Sequence, residues 1–218
     1  MVNSSGLVIK ISFFEAFFKC HYTKKYRLSY PIPLPTTIAG IIGSILGLKR
    51  ESLKEFFSNF YLGAKLIKGD FNFEFSTLLE LERGATTRVV EKFSLINNPE
   101  YEIAIFGEEN KIRKIKEVIK ELKFHFLPFG GQNDYFLKNI ELVGEEKVEE
   151  KNIAYGYFPI SIVKNLKGKF WILPVKYKNA SGFKKENFVF SLEEVELITN
   201  IKTVNNIAVY PFSNFNLL

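Results

Sequence analysis

Apolar residues recur with two different periods along this chain, and the two periods predict strands and helices in turn. Residues 7–19 are rich in Ile, Val and Phe and predict a long strand. A basic, proline-rich loop follows, and a helix is predicted to run from Thr36 or Thr37, either of which could be its N-cap, to about Leu48. A second helical stretch is predicted over residues 49–60, where Ser52 could be the N-cap.

The first predicted helix carries three glycines at the spacing of one helical face. Gly40, Gly43 and Gly47 stand at positions i, i+3 and i+7. Each costs about 1 kcal/mol of helix stability relative to alanine, so the pattern predicts a close neighbour on that face. A sheet, another protein backbone or a nucleic acid could be that neighbour, and packing on the protein's own sheet is the interpretation we favour.

The middle of the chain changes to a period of two. Phe71, Phe73 and Phe75 alternate with mostly polar residues, and Leu79 and Leu81 continue the alternation, as is typical of a strand. This strand leads into the turn sequence ERGATTR and a second extended segment. The pattern predicts a long hairpin with a basic, threonine-rich tip.

A further strand over residues 101–107 precedes the clearest helical pattern of the chain. This helix is predicted over residues 110–124, with Asn110 as its N-cap and a lysine-rich solvated face. Its apolar face is formed by Ile112, Ile115, Val118, Ile119 and Leu122. A glycine-rich loop then precedes a strand predicted from about Tyr135 to Val143.

This order of elements predicts an α+β chain. Residues 61–70 predict a further strand that ends at a Gly69-Asp70 turn. With that strand, and without the hairpin, the order is βαββαβ, the ferredoxin-like (RRM-like) arrangement of an antiparallel sheet with two helices on one face. We expect that domain over residues 1–145, with the hairpin inserted at about 76–100. The charged run of residues 144–152 is interpreted as a linker, and residues 146–218 as a small β-rich C-terminal subdomain of short strands.

Charge and composition narrow the class of partner. Thirty Lys and Arg against twenty-four Asp and Glu give a formal charge of +6, which favours a polyanionic partner. One cysteine excludes an internal disulfide and a multi-cysteine zinc cluster, and with only two histidines a metal site would have to use carboxylates. We expect neither a metal nor a cofactor. The apolar run is too short to cross a bilayer, and the N-terminal sequence lacks the features of a signal peptide, so we expect a cytoplasmic protein.

Three loops carry the chemistry of phosphate and sugar contact. TKKYRLSYPIPLPTT, ERGATTR and FGGQND combine cations, hydroxyls or amides with residues that let a backbone approach a ligand. Unstacked bases could stack on Tyr22, Tyr26 or Tyr30. Each loop could equally be an ordinary surface loop.

Three stretches resemble one family when they are taken in order. SYPIPLPTTIAGIIGSILGL is similar to the N-terminal signature of the CRISPR-associated Cas-five family, a branch of the RAMP proteins. LERGATTRVVEKFSLINNPEYEIAIFG lies where that family inserts its thumb hairpin, and LPFGGQNDYFLKNIEL resembles its glycine-rich loop. Together the three stretches cover about the first two thirds of the chain.

The resemblance implies a non-catalytic subunit of a Cascade-type (type I) surveillance complex in antiviral defence. Such a subunit holds the 5′ handle of the guide RNA, caps the filament of backbone RAMP subunits, contacts the large subunit, and meets target DNA indirectly. The resemblance implies that Lys24, Lys25 and Arg27 contact phosphates of the handle, with Thr36 and Thr37 beside them at the helix start. It places Arg83, Thr86, Thr87 and Arg88 at the thumb tip. It also implies that the handle passes close to Gly130, Gly131, Gln132 and Asn133.

Two alternatives stay open. One branch of the family cuts repeat RNA without metal, through attack of a ribose 2′-hydroxyl, and His21 near Lys24, or Lys123 with His125, could serve it. Residues two apart on a strand share a face, so the separation of Lys123 from His125 does not exclude chemistry. The other alternative is a generic basic protein-interaction module.

Overall fold

The computed structural model describes residues 5–20, 22–23, 27–82, 85–179 and 181–215, together with the side chains of these residues except at 5, 76, 78–87 and 89. The helices are α1 (Pro35–Leu46), α2 (Arg50–Phe56) and α3 (Glu109–Lys120), with 3₁₀ turns at Ile160–Ile162 and Phe212–Asn214. The strands are β1 (Ser5–Phe13), β2 (Glu15–Ala16), β3 (Phe18–Lys19), β4 (Ser29–Tyr30), β5 (Tyr61–Glu82), β6 (Ala85–Gly107), β7 (Leu137–Glu146), β8 (Val148–Pro159), β9 (Val163–Asn165), β10 (Phe170–Asn179), β11 (Gly182–Val204), β12 (Ile207–Ala208) and β13 (Tyr210–Pro211). The prediction of a chain that mixes helices with many strands is confirmed.

The first sheet is antiparallel and has the order β13-β5-β6-β1-β7, with β2 added to β6. Helix α3 packs on β1, β6 and β7, while α1 contacts β5 and α3. Ile38, Ile42 and Ile45 of α1 and Ile112 and Ile115 of α3 are buried, as expected for helices with one apolar face. No described helix has the length and apolar character needed to span a membrane.

β5 and β6 extend far beyond the first sheet as one hairpin. Their register runs from Tyr61 opposite Phe106 to Glu82 opposite Ala85, with shifts between Leu66 and Asp70. The predicted long hairpin is therefore present as a continuation of two central strands. The predicted turn at Gly69-Asp70 is wrong, because both residues lie within β5. The limits of 76 and 100 given to the thumb stay a prediction.

The second sheet has the order β10-β11-β12-β8, and β9 pairs with β11. Side chains of both sheets belong to one contiguous core. The Tyr30 hydroxyl, for example, donates a hydrogen bond to the carbonyl of Pro174 on β10 at 2.7 Å. The predicted linker is wrong, because residues 144–152 lie in β7 and β8 with only Lys147 between the strands.

The predicted helix caps are also wrong. The N-caps are Leu34, Lys49 and Glu108, and none of them caps through its side chain. Pro35 occupies the first turn of α1, where its missing N–H costs nothing, so the helix begins before Thr36. On α3, Leu122 lies beyond the helix end and is exposed rather than part of the apolar face.

The glycine face of α1 does not lie against the sheet. A Cβ on Gly43 would collide with Leu53 of α2, and one on Gly47 would lie 2.6 Å from the ring of His125. Gly47 also ends the helix in the left-handed conformation, at φ 69°. A Cβ on Gly40 would meet nothing within 4 Å, so this glycine faces open space.

Candidate nucleic-acid interface

Only the two ends of the basic loop lie among the described residues. Lys24, Lys25 and Tyr26 lie outside the described residues, and so does His21. Arg27 is tied to β6: its N–H donates to the Lys92 carbonyl at 3.1 Å, and its carbonyl accepts from the N–H of Ser94 at 3.0 Å. Its guanidinium pairs with the carboxylate of Glu91. Arg27 is therefore held in place, and its charge is largely compensated within the protein.

Two of the three tyrosines proposed for base stacking can be placed. Tyr30 is 2% exposed and its ring stacks on Phe190 at 5.4 Å, so the prediction that it stacks on a base is wrong. Tyr22 is exposed, and the Lys185 ammonium lies 5.2 Å from its ring centroid. Tyr22 thus keeps a ring face available close to a cation.

The open face of α1 borders a cavity of about 330 Å³. Thr37, Gly40 and Ser44 line it from the helix, and Phe129 and Gly131 line it from the glycine-rich loop. Thr36 and Thr37 are both half-buried. Hydroxyls and an open backbone on one side and an aromatic ring on the other suit a base or a sugar.

The glycine-rich loop packs on the chain itself. The Gly130 carbonyl accepts a hydrogen bond from the N–H of Phe17 at 2.7 Å. A Cβ on Gly130 or Gly131 would collide with the carbonyl oxygens of Glu15 or Phe17. The contact that needs these glycines is therefore internal, whereas the side chains of the neighbouring Gln132 and Asn133 are exposed.

A second cavity, of about 360 Å³, lies between the glycine-rich loop and the base of the hairpin. Arg27 and Gln132 line it together with the carboxylates of Glu15, Glu74 and Asp134. Burial raises the pKa of Tyr135 in its wall, and these three carboxylates add to that rise. The cavity that Arg27 and Gln132 share therefore carries acidic as well as basic side chains.

The hairpin tip is only partly placed. Arg83 lies outside the described residues, and of Thr86 and Thr87 only the backbone is described, paired with Leu81 and Glu80. Arg88 is exposed and stands opposite Leu79. At about 3.3 Å per residue, Arg88 is roughly 17 Å along the strand from the cavity residue Phe93, so the tip and the loops are separate regions.

Sequence reasoning missed a pair of aromatic residues on the hairpin. Phe73 and Phe75 are 59% and 72% exposed. Their alternation indicates a strand, and strand patterns normally place the apolar side inward. The signal that could have found them is the lysine that the hairpin register sets directly opposite Phe75, at position 92.

The nuclease candidates gain little support from their surroundings. Residues 121–128 form a turn and a loop rather than a strand, so the argument that Lys123 and His125 share a face is wrong. Lys123 donates to Glu121 at 2.7 Å, and this hydrogen bond raises its pKa. His125 is exposed, and its backbone N–H donates to the Ile45 carbonyl at 2.9 Å. Among the described residues no cluster of His, Cys, Asp and Glu could hold a metal ion.

Two solved structures with a similar fold carry CRISPR titles. The chain matches "Crystal structure of a CRISPR protein from Archaeoglobus fulgidus" at 13% identity and a TM-score of 0.60, with 95% of this chain and 99% of that chain covered. It matches a chain of "CRISPR RNA-guided surveillance complex" at 10% identity and a TM-score of 0.54, covering 89% of this chain and 91% of that one. At such identities these matches show the fold alone.

Sequence families give the decisive comparison. No curated protein matches the chain. The family described as "CRISPR-associated protein (Cas_Cas5)" matches residues 6–189, far more than half of the chain. The resemblance stated from the sequence is thereby confirmed: the chain belongs to the CRISPR-associated Cas5 family.

Proposed function

We propose that this protein is a non-catalytic, RNA-binding subunit of a type I Cascade-like surveillance complex, where it holds the 5′ handle of the guide RNA. The observation that carries the proposal is the convergence of two of the three predicted loops, the basic loop and the glycine-rich loop. Arg27 and Gln132 line one cavity, Thr37 and Gly131 line its neighbour, and Phe17 belongs to both walls. Family membership and the fold shared with a chain of an RNA-guided complex support the same assignment.

We further infer that the first sheet and its helices are a ferredoxin-like domain. Support comes from strand order: β5, β6, β1 and β7 are the second, third, first and fourth strands of the βαββαβ series and lie in that sequence across the sheet. We place its boundary at residue 145, with the C-terminal subdomain following.

The proposal includes the partners of such a subunit. These are the guide RNA handle, a backbone RAMP subunit whose filament this chain caps, the large subunit, and target DNA indirectly, all in the cytoplasm. The net charge of +6 supports the RNA contact, because cations that neutralise phosphates release counterions on binding.

The first test is incubation of the purified chain with labelled repeat RNA in the absence of metal, followed by native and denaturing gels. We expect a shifted, intact RNA. The triple variant Lys24→Ala, Lys25→Ala, Arg27→Ala should bind more weakly, with a salt slope shallower by about 0.7 per lost phosphate contact. Most of that loss should come from the two lysines, because Arg27 is paired with Glu91.

A matched control removes two lysines and one arginine from the exposed face of α3. The variant Arg113→Ala, Lys114→Ala, Lys120→Ala makes the same charge change elsewhere, and we expect it to keep the wild-type salt slope. An unchanged slope in the loop variant would contradict the assignment of the handle to this loop.

Cleavage of the RNA would overturn the non-catalytic part of the proposal, since some members of this family process precursor RNA. A discrete product abolished by His125→Ala would establish the nuclease. We expect the RNA to stay intact with the wild type and with His125→Ala, and its affinity for the two proteins to be the same. Lys123, the proposed catalytic partner of His125, is held by Glu121 in a loop.

A further inference from the structure

An aromatic row follows one face of the hairpin and continues onto the second sheet. Phe71, Phe73 and Phe75 occupy alternate positions of β5 and therefore share a face. Phe73 and Phe75 are well exposed, and the ring of Phe71 meets Trp171 of β10 at 4.3 Å between centroids. We call these four residues the aromatic row.

Lysines lie over this row at both ends. The ammonium of Lys92 is 4.4 Å from the ring centroid of Phe73 and 5.8 Å from that of Phe75. Lys169 lies 5.2 Å from Phe71 and 5.4 Å from Trp171. Each ring is thus within reach of a cation that can also meet a phosphate.

The two faces of the hairpin differ in charge. The β6 residues that the register places on the face of the row are Ile96, Ser94, Lys92, Val90 and Arg88, two of them cationic and none acidic. Glu74 and Glu91 belong to the opposite face, where they meet the cavity and Arg27. The face of the row therefore carries no acidic side chain that would repel a polyanion.

Exposed rings on a strand need a reason, because the sheet gains little from leaving Phe73 and Phe75 in water. A row of rings about 7 Å apart along a strand, flanked by lysines, is the arrangement with which proteins hold single-stranded nucleic acid. The rings stack on bases and the cations meet the backbone. Such contacts tolerate any sequence, since every base has a π face.

We propose that the aromatic row, with Lys92 and Lys169, is a second RNA-binding surface that stacks the bases of single-stranded RNA regardless of sequence. The choice of RNA rests on the proposed function. The row meets the handle-binding cavity at Phe75, which also lines that cavity beside Arg27. Its other members, Phe71, Phe73 and Trp171, lie outside that cavity and extend the surface to the C-terminal sheet.

The row carries its own reporter, because Trp171 is the single tryptophan of the sequence. We would titrate the full chain at low salt with an oligouridine of about twelve nucleotides and follow tryptophan fluorescence. Quenching is expected on binding. The double variant Phe73→Ala, Phe75→Ala should lose roughly tenfold or more in affinity with the salt slope unchanged, whereas Lys92→Ala should also reduce the slope by about 0.7.

The control is a pair on the opposite face of the same strand. Asp70→Ala, Asn72→Ala changes exposed neighbours of the row that line neither cavity, and we expect it to bind oligouridine at least as tightly as the wild type. Circular dichroism spectra of all variants verify the fold.

The outcomes separate this inference from the proposed function. Binding without quenching, wild-type affinity of the Phe73→Ala, Phe75→Ala variant, or no binding of oligouridine at low salt overturns the row as an RNA site, while the loop variants still test the handle. Tighter binding to oligodeoxythymidine than to oligouridine overturns the choice of RNA. Quenching by oligouridine, together with an unchanged salt slope for repeat RNA in the loop variant, supports the row and contradicts the proposed function.

Discussion

Gly40 and Gly131 face each other across the same cavity for different reasons. Gly131 has φ +100°, and a Cβ there would collide with the Phe17 carbonyl oxygen. Gly40 sits inside α1 with open space before it. One glycine is required by the backbone of the protein, and the other leaves room for something that is not part of the chain.

Gly131→Ala should destabilise the protein by about 1–3 kcal/mol, because both the left-handed conformation and the collision act against the side chain. Urea unfolding followed by circular dichroism measures the change. A variant as stable as the wild type would show that the loop can move away from Phe17.

Gly40→Ala should have the opposite effect on stability, a gain of about 0.5–1 kcal/mol, because alanine is the better helix former and nothing obstructs its methyl group. We expect the same change to weaken repeat RNA binding, since the methyl group enters the cavity beside Thr37 and Ser44. Increased stability with unchanged affinity would exclude this cavity from the RNA path.

The carboxylate of Glu100 on β6 pairs with two lysine ammonium groups, Lys10 Nζ at 2.7 Å and Lys68 Nζ at 3.2 Å. The hydrogen bond from Lys10, then that from Lys68, lowers the pKa of the carboxyl from its ordinary value near 4.5. A lowered pKa in the folded state means that Glu100 stabilises the protein above pH 4.5 and loses this effect as the pH falls further.

Glu100→Gln should therefore be less stable than the wild type at neutral pH, and the difference should shrink as the pH falls below about 4.5. Unfolding in urea at several pH values measures it. Glu141→Gln is the control, since that carboxylate is 3.9 Å from Lys10 and more exposed, and it should show a smaller difference.

At the scale of elements, periodicity predicted more than capping did. The apolar spacing of Ile112, Ile115 and Ile119 located α3 correctly, because burial of one face decides where a helix lies. Helix ends were misplaced, since the four orphan N–H groups at a helix start can be satisfied without a capping side chain. Alternation also located the hairpin, but it could not tell that Phe73 and Phe75 face water, because a period of two fixes faces without saying which is inside.

The outer hairpin should be dispensable for folding and required for binding. Replacing residues 77–90 by Asn-Gly joins the Ser76–Glu91 pair through a two-residue turn. We expect the free energy of unfolding to change by less than about 1 kcal/mol, because Thr77, Arg88 and Val90 are exposed. RNA affinity should fall with the loss of Arg83 and Arg88. A large loss of stability would show that the outer hairpin contributes to the core.

At the scale of the whole molecule, the sequence predicted two units and the structure joins their side chains in one core. The charged run at 144–152 suggested a linker because polar residues usually leave a core. These charged residues form strands because their backbones pair within β7 and β8 while most of their side chains face solvent. The long β11 was missed for a similar reason: polar residues within it interrupt the apolar pattern without interrupting the strand.

The shared core predicts one unfolding transition. Trp171 reports on the second sheet, whereas the far-ultraviolet circular dichroism reports on both. We expect thermal or urea curves from the two signals to coincide. A fluorescence transition that precedes the circular dichroism transition would show that the C-terminal subdomain unfolds independently.

The hairpin is also a mechanical part. β5 and β6 leave the first sheet as the same two strands that form its centre, so the hairpin is a cantilever. A sideways load on its outer end becomes a bending moment at the root, where the register shifts between Leu66 and Asp70 bend and twist the strands. At the root β6 pairs with β5 on one side and with β1 and β2 on the other, so this load is passed to the central sheet.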